Sequence, residues 1–167
     1  MLSTISLIGM PGSGKSTVGV MLAKLVGLRF VDTDLDIQVR EQNTLQNILE
    51  QRGYQFLREV EQEILMRVAL EGAVVATGGS AVYSELAMRR LRDSGPVVYL
   101  EAELALLERR VAASPPRGIA SDPSTTYAQV YEERTPLYRR AADIVVSTSS
   151  EGAEEVARGI LRQLSND

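Results

Sequence analysis

The stretch Gly9-Met10-Pro11-Gly12-Ser13-Gly14-Lys15-Ser16-Thr17 carries the clearest chemistry in the chain. It fits the phosphate-loop pattern G-x-x-x-x-G-K-[ST]. In such a turn the backbone N–H groups of the loop and the following helix start, here Gly12, Ser13, Gly14, Ser16 and Thr17, point at one spot and favour negative charge. Lys15 would reach the β- and γ-phosphates of ATP, and the Ser16 hydroxyl would bind Mg²⁺. The chain has two lysines, Lys15 and Lys24, against sixteen arginines, so a lysine at this position stands out from its background.

Two carboxylates follow at close spacing, Asp32-Thr33-Asp34. Near a bound nucleotide, one could sit in the magnesium shell and the other could take the proton of an attacking hydroxyl, the two tasks phosphoryl transfer needs beside positioning. Asp34 as a plain cap of the next helix is the competing reading. Gly78-Gly79 ends an apolar run and suggests close approach of a ligand to backbone, or a simple tight turn. Arg58 has Glu61 at i+3 and reads as a surface ion pair. Arg109 and Arg110 read as a solvated helix face, and Arg134 as another exposed helix charge. Arg117 lies in a loop rich in proline and glycine, where it suits neutralising charge on a transferred phosphate.

The elements that must position these groups alternate between short apolar runs and helical periods, the signature of a parallel α/β sheet. Strands are expected at Leu2–Ile8, Arg29–Asp32, Ala73–Ala76, Val97–Leu100 and Asp143–Ser147. Helices are expected over Val18–Val26, Asn43–Gln51 (Asn43 and Gln46 at capping-box spacing), Tyr54–Leu70, Ser84–Leu91, Glu103–Ala112 and from Thr125, interrupted or kinked at Pro136. A last helix is expected after a Ser149 or Ser150 cap, with Glu151, Glu154 and Glu155 at its positive end. Three of the six prolines fall between Ala113 and Ser124, a long loop of the kind that forms lids. In open parallel sheets ligands bind beyond the carboxyl ends of the strands, so the first three strand ends should converge.

Composition removes other classes. A chain of 167 residues reads as one domain with room for a full core. A net charge of −4 argues against a general nucleic-acid binder. There is no cysteine and no histidine, which excludes disulfides and thiolate metal sites and leaves acid–base work to Asp, Glu, Lys or Tyr. No apolar run suits a bilayer span and no export signal precedes the first strand, so a cytoplasmic address and no membrane partner are expected.

Taken in order, these residues resemble the shikimate kinases over nearly the whole chain. The matching pieces are Gly9 to Thr17, Phe30-Val31-Asp32-Thr33-Asp34, Phe56-Leu57-Arg58-Glu59, Gly78-Gly79, Arg109-Arg110 seven residues before Arg117, and Arg134-Thr-Pro-Leu-Tyr-Arg-Arg. The resemblance implies one three-layer P-loop kinase domain over 1–167. Its five-stranded parallel sheet has the order 2-3-1-4-5, flanked by helices, with a mobile lid at about 113–126 that orders over nucleotide. It implies transfer of the ATP γ-phosphate to the 3-hydroxyl of shikimate, a step of aromatic amino acid biosynthesis. By the same resemblance Lys15, Asp34 and Arg117 are catalytic, with Asp34 activating the hydroxyl. Arg58 and Arg134 bind the substrate carboxylate, with Gly78, Gly79 and Ser80 beside it. Ser16 and Asp32 serve Mg²⁺, Arg110 lies against the adenine, and Arg117 closes over the phosphates. ATP and a small hydroxylated acid are the implied partners of a monomer.

Two positions depart from the family pattern. Ser80 stands where a third glycine is usual, which puts a side chain where the substrate nears the backbone. The lid reads Arg117-Gly118-Ile119 where Arg-Pro-Leu is usual, and glycine for proline loosens the residue that places Arg117. Two other readings stay open beside shikimate phosphorylation: a kinase of the same fold for another hydroxylated acid or polyol, and a non-catalytic ATP-binding protein. A GTPase is excluded, since no Asn-Lys-x-Asp motif is present.

Overall fold

The computed structural model describes residues 4–148 and 152–165. The N-terminal half of the fold runs β1 (Thr4–Ile8), α1 (Lys15–Val26), β2 (Arg29–Asp32), α2 (Thr33–Glu41), α3 (Leu45–Arg67) and β3 (Ala73–Ala76). A 3₁₀ turn at Ala81–Tyr83 then leads to α4 (Glu85–Ser94), β4 (Val97–Glu101), α5 (Leu104–Ala112), α6 (Tyr127–Ala141), β5 (Ile144–Ser147) and α7 (Ala153–Leu164). The five strands form one parallel sheet in the order β2-β3-β1-β4-β5.

Central position explains strand composition. Every residue of β1 is buried, as is every residue of β3. A parallel strand covered on both faces is mostly apolar; β1 also buries Thr4, whose hydroxyl donates to the Leu70 carbonyl at 2.9 Å, and Ser6. One face of the sheet, with Ile5, Leu7, Val74, Val98 and Leu100, packs on Val18 and Leu22 of α1 and Val156 and Ile160 of α7. The other, with Ile8, Val75, Val97 and Tyr99, packs on Leu65 of α3, Met88 and Leu91 of α4, and Tyr138 of α6. Removing a leucine or isoleucine side chain of this size from water contributes roughly 1.5–3 kcal/mol. β5 at the sheet edge alternates buried and exposed.

Several boundaries differ from expectation. Helix α2 matches none of the helix ranges expected from sequence, which offered only Asp34 as a competing cap for a following helix. Helix α3 spans both expected helices and is broken at Gly53, whose φ of 82° is non-helical. Its cap is Thr44, which accepts from the Asn47 N–H, rather than Asn43 paired with Gln46. Ser84 caps α4 by accepting from the Ala87 N–H, and that helix continues to Ser94. Helix α6 runs through Pro136 instead of stopping there. The carbonyl that proline leaves unpaired belongs to Glu132, and both residues are exposed, so water can satisfy it. Glu154 and Glu155 lie in the first turn of α7. Leu2, Ser149, Ser150 and Glu151 lie outside the described residues. Among the described residues no helix is long and apolar enough to cross a membrane.

A third apolar cluster joins Ile37 of α2, Ile48, Leu57 and Val60 of α3, and Ala120 from the loop between α5 and α6. That loop is therefore seated on the α2–α3 layer and closes one side of the cleft described next.

Candidate active site

A cleft of 890 Å³ opens beyond the carboxyl ends of β1, β2 and β3. These strands are sheet neighbours, so the loops after Ile8, Asp32 and Ala76 meet there, as the topology requires. Its walls include Gly12 to Thr17, Asp34, Glu61, Gly78 to Ser80, Arg110, Arg117 and Arg134.

Gly12 and Gly14 take φ of 88° and 93°, the left-handed values that turn the chain from β1 into α1. Lys15, 8 % exposed, donates from Nζ to the Gly9 and Met10 carbonyls at 2.8 and 2.9 Å. Burial holds its amine down at about 8, against the pull of Asp34, Glu61 and Asp32. Ser16 Oγ donates to Asp32 Oδ2 at 2.6 Å. Arg110 donates to the Gly12 carbonyl at 3.3 Å and the Thr148 carbonyl at 3.2 Å, tying α5 and the end of β5 to the phosphate loop. Tyr127 at the start of α6 donates to the Pro11 carbonyl at 2.6 Å.

Asp32 caps α2, accepting from the Asp34 N–H at 3.0 Å. The capping alternative for Asp34 is therefore displaced by its neighbour, and the Asp34 carboxyl lines the cleft. Burial pushes Asp34 above the usual carboxylate range, while Lys15 draws it back down. Gly78 lies between the Glu61 and Asp34 carboxylates, close enough that any side chain there would strike both.

Glu61 does not pair with Arg58. It is 4 % exposed and accepts from the Ser80 hydroxyl. Its Oε1 has no hydrogen-bond partner among the described residues. Burial and the Asp34 charge push its carboxyl up to about 7. The Ser80 hydroxyl is thus engaged by Glu61, and both residues line the cleft. Sequence spacing missed this because an i+3 relation places Arg58 and Glu61 near each other without fixing which way each turns.

Arg134 is 1 % exposed, not a surface charge. Its NH2 donates to the Ala120 carbonyl at 2.8 Å, and Arg58 donates from Nε to the same oxygen at 2.9 Å. Neither arginine has a carboxylate within ion-pair distance among the described residues. Two guanidinium groups thus converge on one neutral oxygen beside Gly79, whose own carbonyl accepts from Tyr138 at 2.5 Å. Arg117 is exposed at the cleft rim, 3.2 Å from Ser114 Oγ, and near enough to Asp34 to stabilise its charge. Arg109 faces solvent.

The family model described as shikimate kinase matches residues 11–165. A shikimate kinase of Pseudomonas entomophila is 36 % identical over 98 % of this chain and 96 % of its own length. A shikimate kinase 2 of Yersinia pestis is 37 % identical over 100 % of this chain and 98 % of its own. The structure of a shikimate kinase from Acinetobacter baumannii in complex with shikimate superposes with a TM-score of 0.88 at 31 % identity, covering 100 % of this chain and 96 % of that one. With a phosphate loop, a strand-end carboxylate pair and a convergent arginine pair in one cleft, the chain belongs to the shikimate kinase family.

Proposed function

We propose that this protein transfers the γ-phosphate of ATP to the 3-hydroxyl of shikimate, giving shikimate 3-phosphate and ADP. The observation that carries this reading is the arginine pair without an acid. Burying a charge without a partner is costly. Arg58 and Arg134 aimed at one oxygen suit a bound carboxylate, which two guanidinium forks can hold from two sides. The neutral Ala120 carbonyl occupies that focus here.

Asp34 accepts the proton of the 3-hydroxyl as its oxygen bonds to the γ-phosphorus, and the bond from that phosphorus to the ADP oxygen breaks. A base lifted above the ordinary carboxylate range by burial accepts a proton more readily near neutral pH. The amides of Gly12, Ser13, Gly14, Ser16 and Thr17 cradle the phosphates. Lys15 leaves the Gly9 and Met10 carbonyls to meet the transferred group, Arg117 closes from the rim, and Arg110 flanks the base. Gly78, Gly79 and Ser80 border the acid. Positioning and charge stabilisation supply most of the rate in such transfers.

Magnesium fits the residues present. Ser16 Oγ and Asp32 Oδ2 are adjacent hard oxygens at the loop. Among the described residues no three acidic side chains form a cage, as expected for an ion that keeps waters and phosphate ligands. When bound it would neutralise phosphate charge. We take the enzyme to act as a cytoplasmic monomer; sedimentation of the purified protein tests the monomer, and fractionation of cells tests the location.

The deciding experiment is ADP release from Mg·ATP with and without shikimate, for wild type and Asp34→Asn. Shikimate-dependent release in the wild type that collapses in the variant, with ATP binding retained, is the expected result. Release indifferent to shikimate would refute the reading.

A further inference from the structure

Tyr83 lies in none of the motifs above, yet it touches both arginines of the acid site. It ends the 3₁₀ turn at Ala81–Tyr83, which Ser80 and Ser84 fix from either side through backbone bonds of 3.1 and 3.0 Å. The Arg58 guanidinium stands 4.0 Å over the Tyr83 ring centroid, a cation–π distance. Arg134 lies 5.3 Å from the same centroid and donates from Nε to the Tyr83 hydroxyl at 3.3 Å. That hydroxyl donates in turn to Glu133 Oε1 at 2.5 Å. Its rotor is therefore set: the proton points to Glu133 and a lone pair to Arg134. Burial and Glu133 raise its pKa, which keeps the donor protonated.

We propose that Tyr83 is a positioning residue for the acceptor carboxylate, holding Arg58 by its ring face and Arg134 by its hydroxyl so that both guanidinium groups meet one anion. The two arginines come from different helices, α3 and α6, and each carries a long, rotatable stem. Without a shared support each would lose rotamer freedom separately when an anion binds. Tyr83 imposes that order beforehand, and both arginines already meet on the single Ala120 oxygen in the free protein. A small residue at position 83 would leave Arg58 with only the more distant Tyr54 ring, 5.0 Å away, and Arg134 Nε without its acceptor, while the nucleotide side stays intact.

This inference rests on the kinase reading above, and its test separates the two. KM for shikimate, KM for ATP and kcat are measured for wild type, Tyr83→Phe and Tyr83→Leu. Thermal midpoints report folding. A shikimate analogue with a primary alcohol in place of the carboxylate is titrated as a competitor. Tyr83→Leu should raise KM for shikimate about tenfold, the loss of a partly desolvated cation–π contact and a hydrogen bond to a charged group. Tyr83→Phe, which keeps the ring, should raise it about threefold. KM for ATP should stay unchanged, and the alcohol analogue should bind wild type and Tyr83→Leu equally. An unchanged shikimate KM in Tyr83→Leu, or equal weakening of acid and alcohol, overturns the proposal and leaves the kinase reading standing. If Tyr83→Leu does not fold, Tyr83→Phe decides, and an unchanged KM there overturns it. A wild type inert toward shikimate overturns both.

Discussion

The Ser80 hydroxyl donates to the buried Glu61 carboxylate, so the side chain that departs from the family pattern is occupied within the wall of the site. Glu61 Oε1 is already without a partner, and Ser80 supplies the only hydrogen bond its carboxylate receives among the described residues. Ser80→Gly should therefore destabilise the protein by about 1–3 kcal/mol, the usual cost of stranding a buried polar group. It should not raise turnover of shikimate. A denaturant midpoint unchanged by Ser80→Gly, or a gain in kcat/KM for shikimate, would assign the serine to the substrate instead.

The Glu61 carboxyl itself should make stability depend on pH. Its folded value of about 7 lies above its unfolded value of 4.5, with burial as the main cause. The folded state binds more protons between those values. The contribution is thus complete below about pH 4.5, declines through the window, and is gone above about pH 7. A shift of this size corresponds to roughly 3 kcal/mol. Glu61→Gln keeps the shape and an acceptor for Ser80 without the charge. The stability difference, variant minus wild type, should grow in favour of the variant from pH 5 to pH 8. Lys15, Asp34 and Arg134 also face this carboxyl, so the difference reads Glu61 together with its coupling to them. A pH-independent difference would contradict the raised value.

Gly118 fits against the Leu45 backbone so closely that a Cβ there would collide with it. In the free protein, glycine at this position does more than loosen the loop: it lets the lid seat on α3 and brings Ala120 to the two arginines. Gly118→Ala should lift residues 113–126 off the cleft and speed their amide exchange in the absence of ligand. Nucleotide should slow exchange there in the wild type by closing the lid over the phosphates. Equal exchange in wild type and variant would show that the Leu45 contact does not hold the lid.

Strand positions and the phosphate loop were legible because both are local: apolar runs of strand length, and glycines at fixed spacing before a lysine. The order of the strands is not local, and it came only with the family resemblance. Helix α2 was not. Of its apolar residues only Ile37 is buried, while Leu35 and Val39 are exposed, so no apolar stripe marks it. The proposed acid site was legible as residue types and not as contacts. Glu61 meets Ser80 across nineteen positions, and Arg58 meets Ala120 across sixty-two. Nothing in the spacing of Arg58 and Glu61 says that the acid will turn inward and leave the arginine unpaired. Tyr83 had no signal at all, being a lone aromatic in a three-residue turn.

Lys15 couples nucleotide binding to protons. Burial holds its amine at about 8 in the free protein, so near pH 8 it is about half charged. Triphosphate at the loop would place several negative charges against it and restore the proton, since a nearby opposite charge favours the ionised form. Binding of Mg·ATP at pH 8 should therefore take up about half a proton. Calorimetry in buffers of differing ionisation enthalpy reads this directly, as a slope of observed heat against buffer heat. The lysine's share of the uptake should fade toward pH 6.5, where the free lysine is already charged, leaving that of Glu61. Lys15→Arg, whose guanidinium stays ionised, should lower the slope at pH 8 to the smaller share taken up by Glu61, the other group of raised value in the cleft. A wild-type slope of zero at pH 8 would mean that the free lysine is fully protonated and that its two carbonyl bonds to Gly9 and Met10 outweigh its burial.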